Sequence, residues 1–136
     1  MPFTYAIDNE RRLVVSTGSG LLTAADIVAH IEGLRGDPNF DAGFRQLMDF
    51  TQVTEARLPS DEIRRLAQIS VFSSRSQRAI VVGGNPLFFG LARMYEMSLH
   101  GSGIEAAWIQ VFEDLNSARR WLGLDDVQTA DKSSQT

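Results

Sequence analysis

The chain is expected to fold as an α/β domain, a mostly parallel five-stranded sheet with one antiparallel strand and four helices, in the order ββαβαβαβα. Three observations predict this. Strand-like apolar runs alternate with segments of helical period along the chain. The strand–helix–strand units have the length of right-handed crossovers, which parallel pairing requires. Only Asp8-Asn9-Glu10 separates the first two strand-like runs, a linker that suits an antiparallel hairpin. Internal repeats are absent from the sequence.

The first two strands read as "FTYAID" and "RLVVSTG". Thr23 then opens a helix, "TAADIVAHIEGLR", with Asp26 three residues on as a relative of the capping box. Ile27, Ile31 and Leu34 form its buried stripe, flanked by His30. After the turn "GDPNFDAG" comes a strand from Arg45 to Phe50, followed by a loop. The second helix is "SDEIRRLAQISVF", with Ser60 as N-cap and Asp61 and Glu62 in the first turn. "RAIVVGG" is the fourth strand. Asn85 and Pro86 start the third helix in the favoured order, cap then proline, and Gly101 ends it. "EAAWIQVF" is the fifth strand, and Asp114 caps the short final helix "DLNSARRWLG". Residues 1–124 therefore read as one domain, and 125–136, "DDVQTADKSSQT", as a polar disordered tail.

Composition excludes several classes of function. The 136 residues carry a net charge of −4, which opposes nucleic acid as a main partner. Twelve of the thirteen basic residues are arginine, a bias better ascribed to base composition than to phosphate binding. With no cysteine, disulfides, thiol nucleophiles and thiolate metal sites are ruled out. No run approaches the length of a membrane span, and "MPFTYAIDNE" lacks the pattern of a secretion signal. A cytoplasmic location is expected.

The order of elements, with the stretches "LMDFTQV", "FFGLARMYE" and "VFEDLNSARRWL", resembles the STAS/SpoIIAA-like domains, stand-alone bacterial members included. The resemblance spans about residues 3 to 123. It implies a non-catalytic regulatory or interaction module acting through protein–protein contacts, with a homodimer among the expected forms. Through a shared fold with the CRAL-TRIO lipid-binding domains it also implies an alternative, a carrier or sensor of an apolar small molecule. The anti-sigma factor antagonists of the group carry a regulatory serine in an Asp-Ser-Ser-Gly stretch at the start of the second helix. Here that region reads "RLPSDEI" and offers only Ser60. A phosphate on Ser60 would be repelled by Asp61 and Glu62, so the residue reads as a plain N-cap.

In a parallel sheet, ligands usually bind beyond the carboxyl ends of the strands. Ser19, Thr23, Asp49, Thr51, Ser60, Asn85 and Asp114 are expected to meet at that edge. "GSGLLT" and "GGNP" lack the full dinucleotide and P-loop patterns, and turn geometry accounts for their glycines. The two histidines, His30 and His100, have no evident carboxylate partner and form no metal set. Catalytic residues, metal ligands and cofactors are accordingly not expected.

The third helix carries the strongest signal. At about 100° per residue, Leu87, Phe88, Leu91, Ala92, Met94, Tyr95, Met97 and Leu99 cover roughly 220° of its circumference. Glu96, Arg93, His100 and Phe89 fill the remainder. Such a helix touches more than a sheet: a neighbouring helix, a second subunit or an apolar ligand. If a ligand cavity lies there, Phe88, Leu91, Met94 and Tyr95 are expected to line it, with Asp49 as a further ligand-facing candidate. On the second helix, Ser60, Glu62, Arg65, Ile69 and Phe72 form the candidate partner surface, with Ile69 and Phe72 as apolar groups beside charges. Asp49 interrupts the apolar run "FRQLMDFTQV". Its expected role is to anchor the following loop by accepting hydrogen bonds or pairing with an arginine such as Arg93.

Overall fold

The computed structural model describes residues 2–124; the tail expected at 125–136 lies outside the described residues. The elements are β1 (Phe3–Asp8), β2 (Leu13–Thr23), α1 (Ala24–Arg35), β3 (Arg45–Arg57), α2 (Ser60–Leu66), β4 (Arg78–Val81), α3 (Pro86–Gly101), β5 (Ile109–Phe112) and α4 (Leu115–Trp121). They form one five-stranded sheet in the order β1-β2-β3-β4-β5. β1 is antiparallel to β2, and all other pairings are parallel. The expected α/β architecture is the one observed. Among the described residues no helix is long and apolar enough to cross a membrane.

The topology dictates the layers. Each parallel crossover advances one strand in the same direction, and right-handed connections then put α1, α2 and α3 on a single face. Their apolar sides close over Met48, Phe50, Ile80, Val82 and Ile109 to make the main core. α4 covers the other face, where Ala118 and Leu122 pack on Leu13, Leu47, Ala79 and Val81. Inward and outward residues alternate along β3, so Gln46, Met48 and Phe50 face the three helices while Leu47 faces α4.

Helix starts follow the local chemistry. Thr23 and Asp26 form a reciprocal capping box, Asn85 Oδ1 accepts from the amides of Leu87 and Phe88, and Asp114 accepts from the Ser117 amide. α2 differs from expectation. Its N-cap is Pro59, with no side-chain cap, and Ser60 is the first helical residue. The helix also stops at Leu66 instead of continuing to Phe72. Its last turn tightens through Gln68 N to Arg65 O and Ile69 N to Leu66 O, both at i to i−3 spacing. Ser70 Oγ then takes the Phe72 amide and turns the chain inward.

β2 and β3 are longer than the sequence pattern implies. Beyond Phe50 they continue as a parallel ribbon pairing Ser19 with Gln52 through Thr23 with Arg57, with register shifts after Thr17 and Gly20. The stretch expected to be a loop after Phe50 is therefore strand as far as Arg57. Most side chains there are exposed or half-exposed, so no apolar alternation marked it. Gly18 serves this packing: a Cβ there would meet Phe50 Cδ1 at 2.7 Å. Gly20 sits at φ 64°, in the left-handed region that glycine enters freely. Neither glycine belongs to a phosphate loop.

Candidate functional site

A continuous polar chain crosses the face of the sheet beneath α1, α2 and α3. Gln46 on β3 and Arg78 on β4 are register partners, and both side chains point to this face. Arg78 Nε donates to Gln46 Oε1 at 3.0 Å, and Gln46 Nε2 donates to Ser16 Oγ at 3.0 Å. Ser16 Oγ shares a further hydrogen bond of 2.8 Å with His30 Nε2 from α1. At the other end Arg78 Nη2 donates to Tyr95 Oη of α3 at 3.0 Å, and Nη1 to Ser70 Oγ at 3.4 Å. Ser16, His30, Gln46 and Arg78 are all buried, at 0%, 6%, 2% and 7% exposure.

Burial sets the electrostatics. His30 is stacked on Phe3 with ring centroids 4.1 Å apart and meets Tyr5 edge-on. Loss of solvent, and secondly the charge of Arg78, lower its pKa to about 4, so the imidazole is neutral near pH 7. The Arg78 guanidinium lies 4.9 Å from the centre of the Phe72 ring and 5.9 Å from that of Tyr95. Among the described residues no carboxylate lies within ion-pair distance of it. The side chains that accept its hydrogen bonds, Gln46, Ser70 and Tyr95, are uncharged.

Of this chain, His30, Gln46, Ser70, Arg78 and Tyr95 form the polar wall of a cavity of about 80 Å³ between the sheet and the three helices, and Ser16 lies outside the wall. The rest of the lining is apolar, including Met48, Phe50, Ile63, Leu66 and Ile80. Of the residues expected to line a cavity, Phe88, Leu91 and Tyr95 do so. Met94 packs half-buried into the same core without reaching the cavity wall. Asp49 alternates with the inward Met48 and Phe50 and is absent from the wall. Its Oδ1 accepts from the Thr51 amide at 2.9 Å and from Thr51 Oγ1 at 2.6 Å. Arg93, its suggested partner, pairs instead with Glu96. Asp49 does accept local hydrogen bonds, but within a strand and not as the anchor of a loop through Ser60.

The carboxyl edge does not gather the expected polar groups into a site. Thr23, Asn85 and Asp114 cap helices, Thr51 holds Asp49, and Ser19 and Ser60 are exposed. Hydrogen bonds from the Ser117 amide and hydroxyl hold the Asp114 carboxyl below its usual pKa, as capping requires. The polar wall lies instead toward the amino ends of β3 and β4, where Gln46 and Arg78 enter the sheet.

The expected partner surface on α2 is also rearranged. Ser60 and Arg65 are exposed and Glu62 is half-buried, but Ile69 packs against the main core and Phe72 against Phe40, Arg78 and the cavity. Both positions follow the end of α2, so the helical wheel that put them outward does not apply. Glu96, placed on the polar arc of α3, is buried at 4% between Arg93 and His100, whose Nε2 lies 3.7 Å from Glu96 Oε2. The chain after α3 folds back here, with His100 Nδ1 donating to Ile104 O at 2.8 Å.

Ser16, Gln46 and Arg78 are not marked by any motif in the sequence, and neither is the inward role of His30. The available signal was strand parity: each of the three occupies an inward position next to apolar neighbours in "VVSTG", "RQLMDF" and "RAIVV". Among the described residues, no group of three or more His, Asp or Glu side chains is arranged to hold a metal ion. The sequence matches no protein-family model and no curated protein.

Proposed function

We propose that the protein is a non-catalytic, STAS-like cytoplasmic module that carries or senses an apolar small molecule in the cavity beneath α1, α2 and α3. The observation that supports this reading is the cavity itself. Protein interiors are normally filled to crystal-like density, and an unfilled apolar hollow forfeits contacts along its lining. Its wall is mostly Phe, Leu, Ile and Met, with a few convergent polar groups at one end, the usual design of a small-molecule site. The Ser16–His30 pair fits binding better than nucleophilic chemistry. Ser16 is wholly enclosed and held by Gln46, and a histidine with a pKa of about 4 is a weak base at neutral pH. Native mass spectrometry of protein purified without detergent, paired with a thermal-stability panel of isoprenoids and of fatty acids from short-chain to long-chain, tests it. An adduct mass or a raised Tm is expected, whereas a bare polypeptide mass with a flat panel overturns the reading.

A second reading, a regulatory contact with a protein partner or a second copy of the chain, draws on α3. Leu87 and Met97 stand 74% and 62% exposed there, more than any other large apolar side chains described. Light scattering of the wild type and Leu87→Glu tests the self-association form of it. A dimer weakened by the substitution supports that form, and a monomer at all concentrations removes it.

A further inference from the structure

Arg78 is a buried cation with no counter-ion among the described residues. Taking a guanidinium out of water is unfavourable even after the surroundings relax. The stacking of Arg78 on Phe72 offsets part of that, and its hydrogen bonds run only to the neutral Gln46, Ser70 and Tyr95. A guanidinium has five N–H groups. Three are engaged, one each on Nε, Nη1 and Nη2, which leaves one on each terminal nitrogen. No anion among the described residues approaches it.

From this we infer that the molecule held in the cavity is a small apolar monocarboxylic acid, whose carboxylate pairs with Arg78 and whose body lies among Phe50, Phe88, Leu91 and Ile80. The inference rests on reading the cavity as a binding site and names the class of ligand. Two free N–H groups on a planar fork match the two oxygens of one carboxylate. The remaining wall offers apolar contact and no second cation, which disfavours a dianion or a polar body. Size narrows the class further. About 80 Å³ is roughly half of the ~150 Å³ apolar cavity that admits benzene, so the favoured body is a short branched chain. Long acyl chains would require the helices to part.

The bound anion would also act on its neighbour. Arg78 helps to hold His30 neutral, so a carboxylate on Arg78 removes that effect and raises the affinity of His30 for a proton. This supplies a readout independent of affinity.

The test uses the full chain and three matched probes, 3-methylbutanoate, 3-methylbutanamide and 3-methylbutan-1-ol, titrated by calorimetry near pH 7, with histidine resonances followed by NMR. The acid is expected to bind at least tenfold more tightly than the amide or the alcohol and to move the His30 titration upward. Arg78→Gln is expected to erase that preference, and Arg78→Lys to restore part of it. Equal binding of acid and amide by the wild type overturns the carboxylate assignment and leaves the cavity reading standing. The small-acid assignment falls, and the cavity reading stands, if none of the three binds while an isoprenoid or a long-chain fatty acid does. Binding by no compound of either set removes the cavity reading as well. The wild-type comparison holds even if Arg78 variants fail to fold.

Discussion

Ser16 Oγ and His30 Nε2 stand 2.8 Å apart in the interior, joining the second strand to the first helix through a histidine that is neutral near pH 7. The imidazole titrates near 6.5 in an unfolded chain and about 4 in the folded one. Between those values the unfolded chain binds more protons, so stability is complete above about pH 6.5 and falls as the pH drops toward 4. The loss amounts to about 3 kcal/mol at most. Urea unfolding at pH 7.5 and 4.5 checks it: the wild type should lose about 2–3 kcal/mol more than His30→Gln. Equal losses in the two chains would show that His30 titrates as it does in an unfolded peptide.

Gln46 is the hinge of the polar chain, donating to Ser16 and accepting from Arg78. Gln46→Leu keeps much of its volume but strands a buried guanidinium N–H and leaves Ser16 Oγ with His30 as its one side-chain partner. An orphaned buried group costs about 1–3 kcal/mol, so a destabilisation of that size is expected in denaturant unfolding. A change below about 0.5 kcal/mol would mean that the chain of hydrogen bonds contributes little.

Glycines 18 and 90 should respond in opposite directions. At Gly18 an added methyl collides with the buried Phe50 ring, and Gly18→Ala should cost about 1–3 kcal/mol. Gly90 sits in α3 with open space around it, so Gly90→Ala should stabilise by about 0.5–1 kcal/mol. Paired thermal melts decide the matter through the sign of each shift.

Asp49→Ala should cost about 1 kcal/mol or less, since the two local hydrogen bonds from Thr51 are exposed to solvent. Asp49→Asn should retain most of that stability. Hydrogen exchange at residues 52–57 should stay close to wild type in both variants, because the β2 pairing holds this segment. Rapid exchange there in Asp49→Ala would restore the loop-anchor role.

Much of the fold was legible because local chemistry agreed with the global arrangement. Thr23-Asp26, Asn85-Pro86 and Asp114 each start a helix with groups close in sequence, and the hairpin turn follows from its shortness. The cavity was half legible. Phe88, Leu91 and Tyr95 stood out through the width of the apolar arc on α3, but Ile69 and Phe72 were misplaced by extending α2 past Leu66. Helical periodicity cannot report where tertiary contacts take over, and here Arg78 and Phe40 claim Phe72 from outside the segment.

By itself, then, the sequence determined the order of elements, most of their caps, the antiparallel pairing of the first two strands and the surplus apolar surface of the third helix. These depend on neighbours a few residues apart and on the period of the pattern. Only the tertiary structure decided that His30, Ser16, Gln46, Arg78 and Tyr95 form one buried chain, because they come from two helices and three strands. It also decided that the polar end of the cavity lies near the amino ends of β3 and β4 instead of beyond the carboxyl edge. Whether a polar side chain is a solvated surface group or an uncompensated charge depends on what packs over it, and that is set by the crossovers and not by the residue's own neighbours.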